Sequence, residues 1–193
     1  MKAKIQHEIQ EYCSLLRLNA IGEHFEEAIK NATDYEGFLH QLLRMEVDAE
    51  EERAKERKIK AAKFPYRKYI EDLEMDLLPE AMRKRLPELC SLEFIRESKN
   101  IIMTGNPGTG KTKTAIGLGI KACEQGYRVL YTTIPYLVTE LKESNSQQKL
   151  RSYQKRFEKY DLIIADELGY ISFDREAADL LFTVLSLRAS QKS

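Results

Sequence analysis

The chain carries a glycine-rich turn with the sequence Gly105-Asn106-Pro107-Gly108-Thr109-Gly110-Lys111-Thr112. This turn matches every position of the phosphate-binding loop pattern G-x-x-x-x-G-K-[ST]. The apolar run Ile101-Ile102-Met103 before it predicts a buried strand, and residues 113–122 after it predict a helix. Because strand, loop and helix in this order form the context that the pattern requires, a chance glycine-rich turn is the weaker interpretation.

The residues of this loop have separate roles on a bound nucleoside triphosphate. The glycines allow unusual backbone dihedral angles and leave no side chain between the chain and the phosphates. Backbone N–H groups of residues 108–113 then point at the phosphates from the positive end of the helix. Lys111 is expected to bridge the β- and γ-phosphates as a catalytic residue, and the Thr112 hydroxyl to hold Mg²⁺. The expected nucleotide-binding residues are Gly105, Asn106, Pro107, Gly108, Thr109, Gly110, Lys111, Thr112 and Lys113.

A second motif follows at Asp161-Leu162-Ile163-Ile164-Ala165-Asp166-Glu167. A short apolar run that ends in two acids predicts a buried strand with carboxylates at its C-terminal edge, where parallel sheets bind ligands. Asp166 is expected to bind Mg²⁺ through water, and Glu167 to polarise the attacking water as general base. Taken alone, such an acidic pair could simply begin a loop. Together with the phosphate loop it predicts binding and hydrolysis of ATP or a close relative.

The composition indicates the class of protein but does not indicate a binding partner. The 193 residues suit one domain with an extension, and 31 basic residues balance 31 acidic ones. The three cysteines, Cys13, Cys90 and Cys123, have no histidines at metal-ligand spacing and are expected to be free thiols in a reducing compartment. Since no apolar run has membrane-spanning length and the N-terminus lacks a signal-peptide core, we expect a cytoplasmic protein without a membrane partner.

The part before residue 98 has a helical pattern throughout, with apolar residues at three- and four-residue spacing. Three helices are predicted, with faces formed by Ile5, Ile9, Tyr12 and Leu16, by Phe25 and Ile29, and by Phe38, Leu39, Leu42 and Leu43. Thr33 or Asp34 can cap the third helix, which is expected to run on until Pro65. Its second half has few apolar residues, so we expect it to project into solvent or to meet a charged partner.

This second half is strongly basic. Between Arg53 and Lys68 there are eight basic residues and one acid, Glu56. One interpretation is a solvated helix held by Glu-to-Lys pairs; the favoured one is contact with phosphate backbones, where Lys and Arg give affinity without sequence choice. The candidate DNA-binding residues are Arg53, Lys55, Arg57, Lys58, Lys60, Lys63, Arg67 and Lys68.

After the phosphate loop the pattern alternates between helix and strand. Gly126 is placed to end a helix, and residues 127–131 predict the next strand. Helices are predicted around residues 136–143 and 150–159, and Asp174 can cap a last helix through Ala189. Its buried face is expected to hold Ala178, Leu181, Phe182 and Leu185. Alternation of this kind predicts an α/β fold, a parallel sheet with helices on both faces.

The chain resembles the IstB-like insertion-sequence transposition helpers, a branch of the AAA+ ATPases close to the DnaC-type helicase loaders. The resemblance covers nearly the whole chain and rests on Leu15-Leu16-Arg17-Leu18, Ala62-Lys63-Phe64-Pro65, residues 104–112, Asp166-Glu167-Leu168-Gly169-Tyr170 and Leu180-Leu181-Phe182. It implies an ATP- and DNA-binding homo-oligomer that acts with a transposase. A helicase loader and an inactive remnant stay open as alternatives. The implied organisation is a helical DNA- or partner-binding domain over 1–70, a linker with a short helix over 71–98, and an AAA+ core over 99–193.

The resemblance also implies a further strand and a later arginine beyond Ser193. In the AAA+ fold, that strand carries a polar sensor residue and lies between the phosphate-loop strand and the acidic strand, and the arginine acts on a neighbour's nucleotide. If the chain ends at Ser193, the core is C-terminally incomplete, and nucleotide binding and hydrolysis are expected to be weak. Because adjacent strands lie ~4.8 Å apart, a missing middle strand either leaves a gap or makes its neighbours re-pair.

Overall fold

The computed structural model describes residues 2–169, 174–189 and 192–193. It divides into two compact units, whose boundary in the sequence lies between Ala54 and Lys55. The described residues are mostly helical and include one small parallel sheet. Within these residues, no helix has both the length and the apolar character that crossing a bilayer requires.

The first unit contains helix α1 (Lys2–Leu16), helix α2 (Asn19–Asn31) and the first part of helix α3 (Tyr35–Ala61). Its core is small and consists of Cys13, Ile21 and Phe25, with Ile9, Leu18 and Leu42 packed against them. Several residues of the predicted apolar faces are instead exposed, namely Ile5, Tyr12, Leu16, Ile29, Leu39 and Leu43. The helices of this unit bury only narrow strips of surface. The periodicity therefore predicts the helices but not which of their residues are buried.

Helix α3 confirms one sequence expectation and corrects another. Asp34 caps its start, since the Asp34 Oδ1 atom accepts a hydrogen bond of 2.7 Å from the Gly37 N–H. The helix ends at Ala61 rather than at Pro65, and Lys63 takes a positive φ of 62°. The sequence predicts that its second half lies in solvent or meets a charged partner. Most of this half is exposed or half-buried, but Ile59 is buried in a hydrophobic core together with Ala62, just after the helix. The helix therefore buries only a narrow strip around Ile59, and its other residues stay available to solvent or a partner.

The second unit contains the remaining elements. They are helices α4 (Glu80–Cys90), α5 (Glu93–Arg96), α6 (Lys111–Glu124), α7 (Ile134–Ser146), α8 (Leu150–Phe157) and α9 (Arg175–Ala189), strands β1 (Val129–Thr133) and β2 (Leu162–Asp166), and 3₁₀ turns at Ile70–Asp72 and Met75–Leu77. Gly126, at a φ of 93°, ends α6 as its position predicts. The two strands are parallel and pair in register from Val129 with Leu162 to Thr133 with Asp166.

Helices cover both faces of this sheet. Val129 and Tyr131 of β1 belong to a core with α6 and α5, while Leu130, between them, belongs to a core with α7, α8 and α9. Successive side chains of a strand point to opposite faces, so the alternation places the sheet between two helical layers. The α/β layering predicted from the sequence is confirmed in this respect.

The predicted strand at 101–103 is absent from the secondary structure. These residues pair with no strand among the described residues, and Ile102 is 83% exposed. Among the described residues β2 pairs with β1, and the Ile163 N–H donates to the Ser193 carbonyl oxygen at 3.3 Å. A strand is a property of a pair, so an apolar run without a partner does not form one.

Helix α9 begins where Asp174 was expected to cap it, with the Asp174 Oδ1 atom accepting a hydrogen bond of 2.8 Å from the Ala177 N–H. Its buried face is shifted by one residue from the prediction. The buried residues are Ala177, Leu181 and Val184, while Ala178 and Phe182 are exposed. Because Leu181 has apolar neighbours on both sides at helical spacing, the pattern fits two faces equally well.

Candidate functional site

The glycine-rich turn lies directly before α6 and depends on backbone conformations that glycine favours. Gly105, Gly108 and Gly110 have φ angles of 146°, 81° and 81°. At Gly110 the packing also excludes a side chain, since a Cβ atom there would lie 2.6 Å from Leu78 Cδ2. A Cβ atom at Gly108 would meet no atom within 4 Å, so its positive φ is the constraint there. The loop therefore presents bare backbone at the N-terminus of a 14-residue helix.

The Lys111 ammonium group is folded back over this loop. Its Nζ atom donates hydrogen bonds of 2.8 Å each to the carbonyl oxygens of Gly105 and Asn106. The Thr109 hydroxyl also donates to the Asn106 carbonyl oxygen, at 2.8 Å. Neutral carbonyl groups of the turn thus hold a positive charge next to the first N–H groups of α6. This is the charge arrangement that a polyphosphate needs.

The predicted magnesium ligands lie together. The Thr112 hydroxyl, in the first turn of α6, donates a hydrogen bond of 2.9 Å to Asp166 Oδ2 at the C-terminal end of β2. The two residues are 54 positions apart in the sequence, and the fold of the second unit brings them into contact. Hydroxyl and carboxylate oxygens are the hard donors that Mg²⁺ prefers, and an NTPase site adds phosphate oxygens to them. The residues present therefore fit the ion.

A third residue at this carboxylate was not among the predicted site residues. The Tyr131 hydroxyl of β1 donates to the same Asp166 Oδ2 atom at 2.9 Å. Burial and the Asp166 carboxylate raise the pKa of Tyr131 above its usual range, so the phenol stays a proton donor. The sequence contained a signal for the contact between Tyr131 and Asp166, because residues near the C-terminal ends of neighbouring parallel strands meet at one sheet edge.

Glu167, the predicted general base, immediately follows β2 and is exposed. Its φ angle is 64°, a conformation that is uncommon for a non-glycine residue. The Glu167 N–H donates a hydrogen bond of 2.9 Å to Asp166 Oδ1, which accounts for the turn. The chain therefore leaves β2 at Glu167 in a left-handed backbone conformation.

The remaining predicted nucleotide contacts lie at the surface. Asn106 and Pro107 are exposed in the turn, and Lys113 is exposed on α6 with its Nζ atom 3.8 Å from a Glu74 carboxylate oxygen. A pair at this distance in solvent contributes little stability, so Lys113 is available to a bound anion.

The candidate DNA-binding residues differ in their surroundings. Arg53 pairs with Glu46 and Glu50 in the first unit. In the second unit, Arg67 forms two hydrogen bonds with Glu56, and they hold the pKa of the Glu56 carboxyl group below its usual range.

Some lysines of the basic stretch are bonded to the protein and others are exposed to solvent. The Lys58 ammonium group donates to the Gly126 carbonyl oxygen at 2.5 Å, so this side chain is committed to the protein. Lys60 and Lys63 are exposed and make no ion pair within the part of the chain that the structure describes. These two residues are the best placed for an external phosphate.

Comparison with known proteins agrees with this geometry. The family model described as IstB-like ATP binding protein matches residues 14–193. The chain belongs to this family. A protein of insertion sequence IS21 from Pseudomonas aeruginosa, named for ATP binding, is 32% identical over 191 residues, which span 97% of this chain and 72% of that protein.

Two further relatives of this IstB-like chain carry names of the same kind. The ATP-binding protein named for insertion sequence IS5376 of Geobacillus stearothermophilus is 34% identical, over 95% of this chain and 75% of its own length. That named for insertion sequence IS232 of Bacillus thuringiensis is 28% identical, over 95% of this chain and 74% of its own length.

Proposed function

We propose that this IstB-like chain is an ATP-binding and ATP-hydrolysing helper of insertion-sequence transposition, which binds DNA and acts with a transposase. The observation that carries the proposal is the contact between the Thr112 hydroxyl and Asp166 beside a complete phosphate loop. The names of the relatives support ATP as the nucleotide and an insertion sequence as the setting.

The residues of the loop bind and orient the triphosphate. The backbone N–H groups before and within the first turn of α6 donate to the phosphate oxygens. Lys111 exchanges the two carbonyl oxygens that it contacts for β- and γ-phosphate oxygens, an exchange that a charge-assisted bond favours. Thr112 and Asp166 would hold Mg²⁺, which when bound neutralises charge on the phosphates. Lys111 is the only cationic residue of the motif at 105–112, so Lys111→Ala should abolish ATP binding.

Glu167 accepts a proton from the attacking water in this proposal. Its exposed carboxylate follows the strand that ends in Asp166, and the bend at Glu167 separates it from the magnesium ligand. Glu167→Gln should keep ATP binding and lower turnover by at least about 100-fold, the scale of a lost general base. Unchanged turnover of the variant in a phosphate-release assay would exclude Glu167 as the base.

DNA contact is proposed for the exposed part of the basic stretch, with Lys60 and Lys63 as its centre. Lys60→Glu with Lys63→Glu should weaken binding to all DNA sequences and flatten the salt dependence of the affinity. The matched control is Lys155→Glu with Lys159→Glu, the same charge change at exposed lysines of and after α8. Lys58 is left unchanged because its loss would break the bond to Gly126. Equal affinities of the two double variants in fluorescence anisotropy would argue that the basic stretch is only solvated surface.

The proposed partners are the transposase of the same element and further copies of this chain in the presence of ATP. The alternative is a helicase loader, which the P-loop site alone does not exclude. A pull-down with DNA, transposase and replicative helicase separates the two functions, because a helper retains DNA and transposase while a loader retains helicase. Loss of ATP binding by the wild-type chain, equal to that of Lys111→Ala, would instead support the inactive remnant.

A further inference from the structure

Tyr131 contacts the candidate magnesium ligand from inside the protein. The side chain belongs to the middle residue of β1 and is only 9% exposed. Its hydroxyl group lies 2.9 Å from Asp166 Oδ2, the atom that also accepts the Thr112 hydroxyl at 2.9 Å. Together with the Glu167 N–H on Oδ1, three donors from three different segments surround one carboxylate.

Tyr131 is itself held on two further sides. The Tyr131 N–H donates a hydrogen bond of 2.8 Å to the Ala62 carbonyl oxygen, just past the end of α3. The ring packs against Phe64, with ring centroids 6.2 Å apart and the planes tilted by 57°. Backbone and ring are therefore both restrained, so the hydroxyl has little freedom to leave the carboxylate.

A fixed donor of this kind affects metal binding in two ways. It keeps the carboxylate plane in one orientation, so less conformational entropy is lost when an ion arrives. It also occupies one lone pair of Oδ2. Because the Thr112 hydroxyl donates to the same atom and the Glu167 N–H to Oδ1, a lone pair of Oδ1 is left for the ion or its water ligands. Outer partners of metal ligands typically change metal affinity by about 10- to 100-fold when removed.

We infer that Tyr131 is a positioning residue that orients Asp166 for Mg²⁺ and thereby sets the magnesium dependence of nucleotide binding. The inference rests on the proposed nucleotide site. It adds a residue of β1 to that site, which the motifs at 105–112 and 161–167 do not include. It also makes the Ala62–Phe64 segment, which adjoins the basic stretch, the support on which this donor rests.

The test is Tyr131→Phe in the full 193-residue chain, which removes one oxygen atom and keeps the ring. Binding of a fluorescent ATP analogue is titrated with Mg²⁺ and, separately, measured in EDTA. The Mg²⁺ concentration for half-maximal binding should rise about 10-fold or more, while affinity in EDTA stays within about twofold. The matched control is Tyr153→Phe, because Tyr153 is also 9% exposed and donates to a carboxylate, Glu140, at 2.7 Å, outside the nucleotide site.

A second variant separates orientation of Asp166 from a general effect on folding. In an Asp166→Asn background, adding Tyr131→Phe should change the magnesium dependence by less than about twofold, since the carboxylate is already lost. An unchanged magnesium dependence of Tyr131→Phe, or an equal loss of affinity with and without Mg²⁺, would overturn the inference. If the wild-type chain binds the analogue in neither condition, the proposed nucleotide site itself fails; if it binds without any magnesium dependence, only the magnesium part fails and the inference with it.

Discussion

Replacing Gly119 with alanine tests how tightly α6 is packed behind the phosphate loop. The helix has no Cβ atom at this position, and two side chains occupy the space. A Cβ atom built on Gly119 would lie 2.7 Å from Ile164 Cδ1 of β2 and 2.8 Å from both Cε1 and Cζ of Phe64. Carbon atoms in ordinary contact are about 3.5–4.0 Å apart, so both neighbours have to move by almost 1 Å.

Two opposing effects determine the size of the change. Alanine is more favourable than glycine in a helix interior by about 1 kcal/mol. Overpacking of a core costs about 1–3 kcal/mol, and here it acts from two sides on a ring and on a strand residue that cannot both move away. The overlap is therefore expected to prevail, and Gly119→Ala should lower the free energy of unfolding by about 1–2 kcal/mol.

The measurement is urea unfolding followed by circular dichroism, since the chain has no tryptophan to report by fluorescence. Ile164→Val serves as the rescue variant because valine lacks the Cδ1 atom that would collide, and alone it should cost about 0.5–1.5 kcal/mol. Combined with Gly119→Ala, it should cost clearly less than the sum of the two single changes.

Two results would refute this reasoning. If the overlap is real, Gly119→Ala cannot stabilise the protein by the full helix-propensity difference. An increase of about 1 kcal/mol in the free energy of unfolding would therefore show that the neighbours yield freely. Strict additivity with Ile164→Val would show that the Ile164 side chain is not what opposes the new methyl group.

Three further predictions concern single residues of the second unit. Gly110→Ala should destabilise the protein by about 2 kcal/mol and abolish ATP binding, because alanine is strained at a φ of 81° and its Cβ atom would collide with Leu78. Calorimetry measures the stability and nucleotide titration the binding. Normal ATP binding by the variant would contradict the geometry of the loop. Thr114→Val should stabilise the protein by about 1 kcal/mol, since the buried Thr114 Oγ1 atom has no hydrogen-bond partner among the described residues. A lower free energy of unfolding in urea would show that this hydroxyl has a partner. Burial raises the pKa of Cys123 to about 12, so alkylation of this thiol at pH 8 should require unfolding of the protein. Mass spectrometry measures the alkylation, and rapid labelling of the native protein would contradict the burial of Cys123.

Much of the nucleotide site could be predicted from the sequence because its parts are local. The phosphate loop needs glycines, a lysine and a threonine at fixed spacing, and each position has a reason in backbone geometry or charge. The strand before Asp166 is a short apolar run ended by acids, and it forms β2 at Leu162–Asp166 as expected. The sequence assigned Thr112 and Asp166 separate roles at one Mg²⁺ ion, and in the structure their side chains lie 2.9 Å apart.

Other parts depended on contacts between distant segments. The run at 101–103 has strand composition, yet no strand pairs with it among the described residues, because a ladder requires a partner that composition does not reveal. The second half of α3 has the composition of a solvated helix, but Ile59 on it and Ala62 just after it are buried, because residues distant in the sequence pack against them. The hydroxyl of Tyr131 reaches Asp166 because β1 and β2 are neighbours in register.

The sequence by itself determined the glycine-rich motif at 105–112, the strand that ends in Asp166 and Glu167, and the IstB-like family, because each of these depends on residues that are close together in the sequence. Only the tertiary structure decided which lysines of the basic stretch are already bonded to the protein, as Lys58 is to Gly126, and which donor orients Asp166. The physical reason is that hydrogen bonds and burial across long sequence separations depend on how elements pack, and one residue pattern is compatible with several packings.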